Sequence, residues 1–350
     1  MDLRKPGTVI PAAAAGMLLG ASLLSGMPMI AAPPEASVTG SADPAEPSDT
    51  EVAAYFSARD PFQRRLSREP RLQPGSQRYV RLLRRSGRQG SAVAWRRWSI
   101  PVYDADRDTP RYPVSLTAPW APVSELSAVP IPSSAVPDPA GDGHMAVVDP
   151  TSGCEYDLWQ ARRTSAGWQA SWGNAIPLSG NGVYPRGLSA RGSGFALTSG
   201  LITAEELRRG RIRHALAFSY DFVREGGPVR PATESDGTSH ERWALPEGAR
   251  LQLDPSLRLR RLKLPHYALV IARAMKRYGL ILVDSGGGVT LYAENPLSAG
   301  EDAYAGLLPD EAYPSLAAIP WRKVRVLRLP RQQRDPDIGL PTSTCAQFSR

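Results

Sequence analysis

From about residue 93 onward, short runs of alternating apolar and polar residues recur along the chain, separated by glycine, proline, asparagine, aspartate and serine. A period of two is typical of β-strands that bury one face. The runs that fit best are SAVAWRRWSIPVY, HMAVVDP, CEYDLWQARRT, GWQASWGNAIPL, HALAFSYDF, ARLQLDP, LILVDSG, VTLYAE and KVRVLRL. Within EYDLWQARRTSAGWQASWG, the turn residues Thr164 to Gly167 predict a hairpin.

Two segments have the period of a helix instead. In ITAEELRRG, Thr203 is suited to cap a helix, Glu206 occupies the capping-box position and Gly210 is suited to end it. In LPHYALVIARAMKRYG, apolar residues recur at helical spacing between Pro265 and Gly279, and the strand-like LILVD follows directly.

Many short strands with few helices favour a mainly β fold, namely an antiparallel β-sandwich or jelly-roll-like domain with two short helices. We assign this domain to residues 93–330 and a C-terminal tail to residues 331–350. The alternative is an α+β fold, because the helix-to-strand run that ends at Asp284 suits that class too.

The N-terminus has the pattern of an export signal. A charged start is followed by an apolar run and then by small residues, which predicts a signal peptide over residues 1–32. A retained membrane anchor is the alternative, but Pro11, Gly16, Gly20 and Pro28 interrupt the apolar run. Residues 33–58 are rich in Pro, Ala, Glu and Ser and predict a disordered linker. We therefore expect a secreted or cell-surface protein.

The positive charge is concentrated in one stretch. The formal net charge is +8, yet twelve arginines and only two acidic residues lie between Arg59 and Arg97. We delimit a basic, arginine-rich segment at residues 59–92 and expect a wall polymer, another extracellular glycan or anionic lipid as its partner, not nucleic acid. The alternative is a solvated arm without a specific partner.

Cys154 and Cys345 are the only cysteines. In an oxidising compartment an isolated pair is more often a disulfide than two thiols, so we expect a bond that ties the tail to the strand region. No Cys or His cluster has the spacing of a zinc site, so the sequence predicts no metal, and it identifies no cofactor.

Two histidine-containing stretches are candidates for chemistry. Asp142 and His144 face the same side of an extended chain, as a carboxylate that orients a general base would, or they mark an ordinary turn. His214 lies between apolar residues with Arg211 and Arg213 beside it, a combination suited to a carboxylated ligand. The alternative for His214 is a core histidine bonded to one backbone carbonyl.

Glu155 and Asp157 are two apart on a predicted strand, so their side chains share a face at about 6 to 7 Å. This spacing suits glycoside hydrolysis by two carboxylates, with Glu155 as acid and Asp157 as base or nucleophile, and it is also usual in amphipathic edge strands. Asp284 ends a strand and could join a cleft, or cap the turn. Trp243, in the polar loop 231–243, could stack on a sugar ring.

The stretches DGHMAVVDP, HALAF and RAMKRYGLILVDSGG resemble a group of exported bacterial proteins that share the patterns DGHMxVxDP, HALxF and RYGxxxxDxGG. The resemblance covers over half of the chain, from about Trp98 to Pro296, and implies common ancestry. It assigns no catalytic residue to any position here.

The function expected from the sequence is that of an exported carbohydrate-active protein, either a polysaccharide hydrolase or a lyase. In a lyase, His144 or His214 would be the base, and Arg211 or Arg213 would neutralise a uronate. The alternative is a noncatalytic glycan-binding or cell-surface module. The oligomeric state is not predicted.

Overall fold

Three β-sheets form the framework of the protein. The computed structural model describes residues 55–86, 90–185, 188–334 and 343–349. The predicted signal peptide and most of the predicted linker lie outside these residues. Within them the strands are β1 Ser91–Ala94, β2 Val102–Asp104, β3 Arg111–Leu116, β4 Glu125–Pro130, β5 Met145–Asp149, β6 Cys154–Trp159, β7 Arg162–Thr164, β8 Gly167–Ala170, β9 Trp172–Pro177, β10 Leu216–Tyr220, β11 Arg250–Leu253, β12 Leu280–Ser285, β13 Val289–Tyr292, β14 Val324–Val326 and β15 Phe348–Ser349.

The helical elements are few and short. The α-helices are α1 Ser76–Leu83, α2 Ala204–Arg208, α3 His266–Arg277 and α4 Pro296–Ala299, with 3-10 turns at Pro61–Gln63, Leu259–Leu262 and Trp321–Lys323. The capping box of α2 is confirmed, because Thr203 and Glu206 bond to each other's backbone N–H. The second predicted helix is confirmed as α3, which ends before Gly279, where φ is +84°.

The prediction of a mainly β fold with few helices is confirmed, and the sheets are mixed. The largest sheet has the order β1-β13-β10-β12-β11-β14. In it β10 and β12 are parallel, while β13 is antiparallel to β10. Helix α3 comes directly before β12 and buries one apolar side in the main core. The parallel pair matters for function because it brings the carboxyl ends of β10 and β12 to one edge.

The other two sheets pack around a second core. A four-stranded sheet has the order β2-β5-β6-β9, and a five-stranded sheet has the order β15-β4-β3-β8-β7. The hairpin predicted at Thr164 to Gly167 is confirmed as β7 and β8. Trp172, fully buried, stacks against Phe348 of β15 at 5.9 Å between ring centroids.

The basic segment is part of the folded body where the structure describes it. Helix α1 buries Tyr79, Val80 and Leu83 in the main core, and Phe62 is fully buried beneath the mixed sheet. A boundary at residue 92 therefore does not separate an arm from a domain. The arginines stay at the surface because the apolar residues between them supply the core contacts.

The C-terminal tail is held by a disulfide and by a strand. The predicted bond between Cys154 and Cys345 is present, and β15 pairs antiparallel with β4. In the part of the chain that the structure describes, no helix is long and apolar enough to span a membrane.

Candidate active site

Three carboxylates meet at the carboxyl end of the β10–β12 pair. Asp284 lies one residue before the end of β12, opposite Ser219 of β10. The connection from β10 to β11 supplies Asp236 and Glu247, and Gly248 fixes the latter by bonding its N–H to the Leu282 carbonyl at 2.9 Å. One carboxylate oxygen from each of Asp236, Glu247 and Asp284 lies within 4.8 Å of the other two. We call these three residues the carboxylate cluster.

The members of the carboxylate cluster differ in exposure. Asp236 and Asp284 are partly exposed, whereas Glu247 is fully buried. Ser285 donates its hydroxyl to Asp236 Oδ2 at 2.7 Å. Among the described residues, neither oxygen of Glu247 has a donor, and the same is true of Asp236 Oδ1. Because a buried carboxylate without a donor is costly, this cluster requires a proton or a cation between its members.

The electrostatics of the carboxylate cluster favour bound protons. Burial raises the pKa of Glu247 well above its usual range, and the charges of Asp236 and Asp284 add to this effect. The pKa of Asp284 is also well above its usual range, through burial first and then through the negative charges of Asp236 and Asp142. Burial and the neighbouring carboxylates therefore favour the protonated form of Asp284, which lies on a partly exposed surface.

One buried cation faces the carboxylate cluster. Arg191 donates to the carbonyl oxygens of Leu197 at 2.9 Å and Ser199 at 3.3 Å, and its guanidinium lies 5.4 Å from the ring centre of Tyr292. Its positive charge opposes the rise in the pKa of Asp284. The arginine therefore limits the negative charge at the site without pairing directly with one carboxylate.

Two glycines permit the close approach of these loops. A Cβ on Gly192 would lie 2.8 Å from Cγ of Asp236, and a Cβ on Gly286 would lie 2.7 Å from the hydroxyl oxygen of Ser219. Both distances are too short for real side chains. Glycine therefore lets the loop that carries Arg191 pass Asp236, and the chain after Asp284 pass Ser219, without displacing those side chains.

The carboxylate cluster could also hold a metal. Three carboxylates are a donor set of hard oxygens, which suits Ca²⁺, Mg²⁺ or Mn²⁺. The spacing of Cys and His residues predicts no metal, and it gives no indication of this set because its three carboxylates come from separate loops.

Asp142 and His144, predicted as a pair, have different roles. Asp142 is partly exposed, and after burial its negative charge contributes to the raised pKa of both Asp284 and Tyr292. His144 is buried, and its Nε2 lies 3.0 Å from the carbonyl oxygen of Ala190. The histidine thus supports the backbone next to Arg191 and does not face the surface.

Glu155 and Asp157 do not lie on an accessible surface. Both side chains are fully buried on β6, where a polymeric substrate does not reach them. Glu155 accepts hydrogen bonds from the N–H and hydroxyl of Thr198, while Asp157 accepts from Tyr184 Oη at 2.9 Å and Leu197 N–H at 3.1 Å. We therefore do not assign Glu155 as the acid or Asp157 as the base or nucleophile. Their hydrogen bonds anchor the loop 197–198 to the sheet.

His214 lies away from the carboxylate cluster. It precedes β10, whereas Asp284 is paired with the far end of that strand, so roughly 15 Å of strand separates them. Its Nε2 lies 3.0 Å from Glu206 Oε1 and its Nδ1 lies 2.7 Å from the Ala215 carbonyl oxygen. Arg211 and Arg213 flank it at partly exposed positions on the same segment. The structure does not bring these three residues to the cluster.

Trp243 packs against the basic segment. Its ring meets Tyr79 edge-on at 5.3 Å, and the guanidinium groups of Arg78 and Arg242 lie 4.9 Å and 5.1 Å from its centre. With these neighbours on its faces, the indole is occupied by intramolecular contacts. A sugar-stacking role is not supported by this arrangement.

The sequence reasoning missed Glu247 and Arg191 as site residues, and it treated Asp236 only as part of the polar loop 231–243. Glu247 stands between proline and glycine just before an apolar strand, an unusual place for a buried charge. Arg191 lies in a glycine-rich stretch, RGSG, which indicates close backbone approach. These two features are the signals in the sequence that point to Glu247 and Arg191 as site residues.

Comparisons of the chain with protein-family models, with curated proteins and with solved structures give no match.

Proposed function

We propose that this protein is an exported polysaccharide hydrolase in which Asp284 is the general acid and Asp236 the nucleophile. The observation that carries the proposal is the pairing of two partly exposed carboxylates, with oxygens within 4.8 Å, of which one has a raised pKa. Two carboxyl groups in unlike environments are the requirement for cleaving an acetal linkage.

The close spacing favours the retaining reaction. Retaining glycosidases have their carboxyl groups about 5 to 5.5 Å apart, and inverting enzymes about 6.5 to 9.5 Å apart. The protonated Asp284 would donate its proton to the glycosidic oxygen as the C–O bond breaks, and Asp236 would form an ester with the anomeric carbon. Asp284, now ionised, would take a proton from water, and that water would cleave the ester and restore both groups.

Other residues position this pair. The Ser285 hydroxyl holds Asp236 Oδ2, and a proton shared with Glu247 would orient the other Asp236 oxygen. Arg191 stabilises negative charge as Asp284 loses its proton. The lyase alternative has less support, because the proposed bases His144 and His214 are bonded to backbone carbonyls or to Glu206.

The export expected from the N-terminal sequence places the enzyme among extracellular polymers. The disulfide is compatible with an oxidising compartment, where such bonds persist. Polysaccharides are the substrates there that two carboxylates are suited to cleave.

The test is a panel of neutral and acidic polysaccharides incubated with the purified full chain. We expect new reducing ends from at least one polymer, and NMR spectra that show the anomeric configuration retained in the first product. Unsaturated uronates, detected by ultraviolet absorbance, would indicate a lyase and contradict the proposal. Binding without any cleavage would indicate a glycan-binding module.

The experiment also tests whether the carboxylate cluster holds a metal ion. If protons neutralise the carboxylate cluster, EDTA leaves the rate unchanged and Ca²⁺ does not raise the melting temperature. Loss of activity in EDTA, restored by Ca²⁺, would show that the carboxylate cluster holds a cation, and Asp284 could not then be the acid.

A further inference from the structure

A second surface with an unusual charge lies at the opposite end of β12 from the carboxylate cluster. It is formed by three separate segments: residues 64–71 before α1, the end of α3, and β14 with its flanks. We define the cationic face as Arg64, Arg68, Arg71, Lys276, Lys323, Arg325 and Arg328.

Backbone and side-chain contacts bring these segments together. The N–H of Arg328 donates to the carbonyl of Arg71 at 2.8 Å, and an antiparallel bridge joins Leu72 to Leu327. Arg325 Nη2 lies 3.4 Å from the carbonyl oxygen of Arg68. The first and third segments are therefore neighbours along their length.

Gln252 joins the remaining segment. Its amide donates to the carbonyl of Ser67 at 3.1 Å and to that of Lys276 at 2.9 Å. Lys276 is near enough to Arg68 for the guanidinium charge to lower its pKa, in addition to the effect of burial. Folding thus concentrates like charges that are more than 200 residues apart in sequence.

The charges of the cationic face are poorly neutralised. In the part of the chain that the structure describes, no ion pair involves Arg64, Arg68, Arg71 or Arg328, and all four are exposed. Two acidic residues, Glu69 and Asp254, lie on these segments or near them. Against the effect of burial, hydrogen bonds from Ser256 and then the charges of Arg325 and Lys323 lower the pKa of Asp254. Because like charges at close range repel one another, an anionic partner that neutralises them would be favoured at this surface.

The shape of the cationic face favours a polymer as its binding partner. Residues 64–71 are not helical, and the charged side chains come from three separate segments, so the surface offers several cationic groups to the repeated anionic groups of one chain. Guanidinium groups bind carboxylates through two parallel hydrogen bonds. A bilayer partner would need several exposed apolar groups to insert, yet among the described residues of this surface Leu72, at 40%, is the one exposed large apolar side chain.

We infer that the cationic face binds a linear carboxylated polysaccharide, independently of any reaction at the carboxylate cluster. Binding there would hold the protein on an acidic polymer by a surface remote from Asp236 and Asp284.

The inference is tested by binding the full chain to polygalacturonate, to dextran and to phosphatidylcholine vesicles with and without phosphatidylglycerol, over a series of salt concentrations. We compare the wild type with the combined variant Arg68→Ala, Arg71→Ala and Arg328→Ala. The matched control is Arg107→Ala, Arg162→Ala and Arg163→Ala, which removes the same charge from other exposed positions.

We expect wild-type binding to polygalacturonate that weakens with salt and is absent on dextran. The cationic-face variant should bind at least tenfold more weakly and with a smaller salt dependence, while the control stays within about twofold. Equal weakening in both variants, no wild-type binding at low salt, or binding to anionic vesicles alone would overturn the inference. Asp284→Asn should bind like the wild type, so a failed hydrolase assay and a failed binding assay are distinguishable.

Discussion

Glu247 lies fully buried beside Asp236, and the described surroundings give its carboxylate no hydrogen-bond donor. The carboxyl of Asp236 is the group with which it can share a proton, and this contact adds to the rise in the pKa of Glu247. A buried carboxyl with a raised pKa thus supports a partly exposed one, an arrangement suited to catalysis and costly for stability alone.

Substitution of Asp142 should move the pH dependence of hydrolysis. Asp142 contributes to the raised pKa of Asp284, after burial and Asp236. With Asp142→Asn, one negative charge is lost, Asp284 loses its proton at lower pH, and the basic limb of the kcat/KM profile shifts to lower pH. The control Asp302→Asn, at an exposed position outside the cluster, should leave the profile in place. A shift to higher pH would contradict the assignment of Asp284 as the acid.

His214 should stabilise the fold without contributing to catalysis. Burial alone would lower its pKa, but the Glu206 carboxylate raises it to about 9 from the ordinary 6.5. A raised histidine pKa gives stability that is complete below the unfolded value and is lost as pH rises through the folded value. At 1.36 kcal/mol per pH unit, this is about 3 kcal/mol lost between about pH 6.5 and pH 9.

Urea unfolding at pH 6 and pH 10 measures this contribution. The free energy of unfolding of the wild type should fall more between the two values than that of His214→Gln, and hydrolysis at pH 6 and low temperature should be similar in both. A large loss of kcat with unchanged stability would show instead that His214 acts in the reaction.

The buried pair Glu155 and Asp157 on β6 provides a second test of how stability depends on pH. Burial, followed by the charge of Asp157, raises the pKa of Glu155 well above its ordinary 4.5. The native state therefore favours neutral Glu155, and the wild type loses this stability as pH rises above the ordinary value. Glu155→Gln, which is always neutral, should become more stable relative to the wild type from pH 5 to pH 8 in urea unfolding. A constant difference would show that Glu155 is ionised in the fold.

Much of the local structure could be predicted from the sequence, whereas the site could not. The capping box at Thr203 and the helix before Gly279 are predictable because they depend on residues close together in the sequence. The disulfide is predictable because two cysteines allow one pairing. The carboxylate cluster depends on which loops reach the end of the parallel β10–β12 pair. Alternation of side chains indicates a strand, but it does not reveal the neighbour of that strand.

The same limit explains why the spacing of Glu155 and Asp157 suggests a catalytic pair although both side chains are buried. Their spacing placed them correctly on one face of a strand, but that face is covered by the loop that carries Leu197 and Thr198. The alternation of polar and apolar residues along a strand does not show whether its charged face is buried, because an exposed strand has the same pattern.

The disulfide should contribute substantially to stability. It links residues 191 apart, and loss of a native disulfide typically costs about 2 to 5 kcal/mol. Cys345→Ser should lower the free energy of unfolding by that amount, and a reductant should destabilise the wild type but not the variant. Insensitivity of the wild type to reductant would show that the bond does not restrain the unfolded chain.

The most direct measurement is the hydrolysis rate of Asp284→Asn and Asp236→Asn, compared with Asp302→Asn, on the polysaccharide that the wild type cleaves. We predict that each substitution in the carboxylate cluster lowers kcat by about 10² to 10⁴ while urea unfolding shows an intact fold. Asp302→Asn should keep the wild-type rate. Folded Asp284→Asn and Asp236→Asn proteins with wild-type kcat would contradict the assignment of the active site.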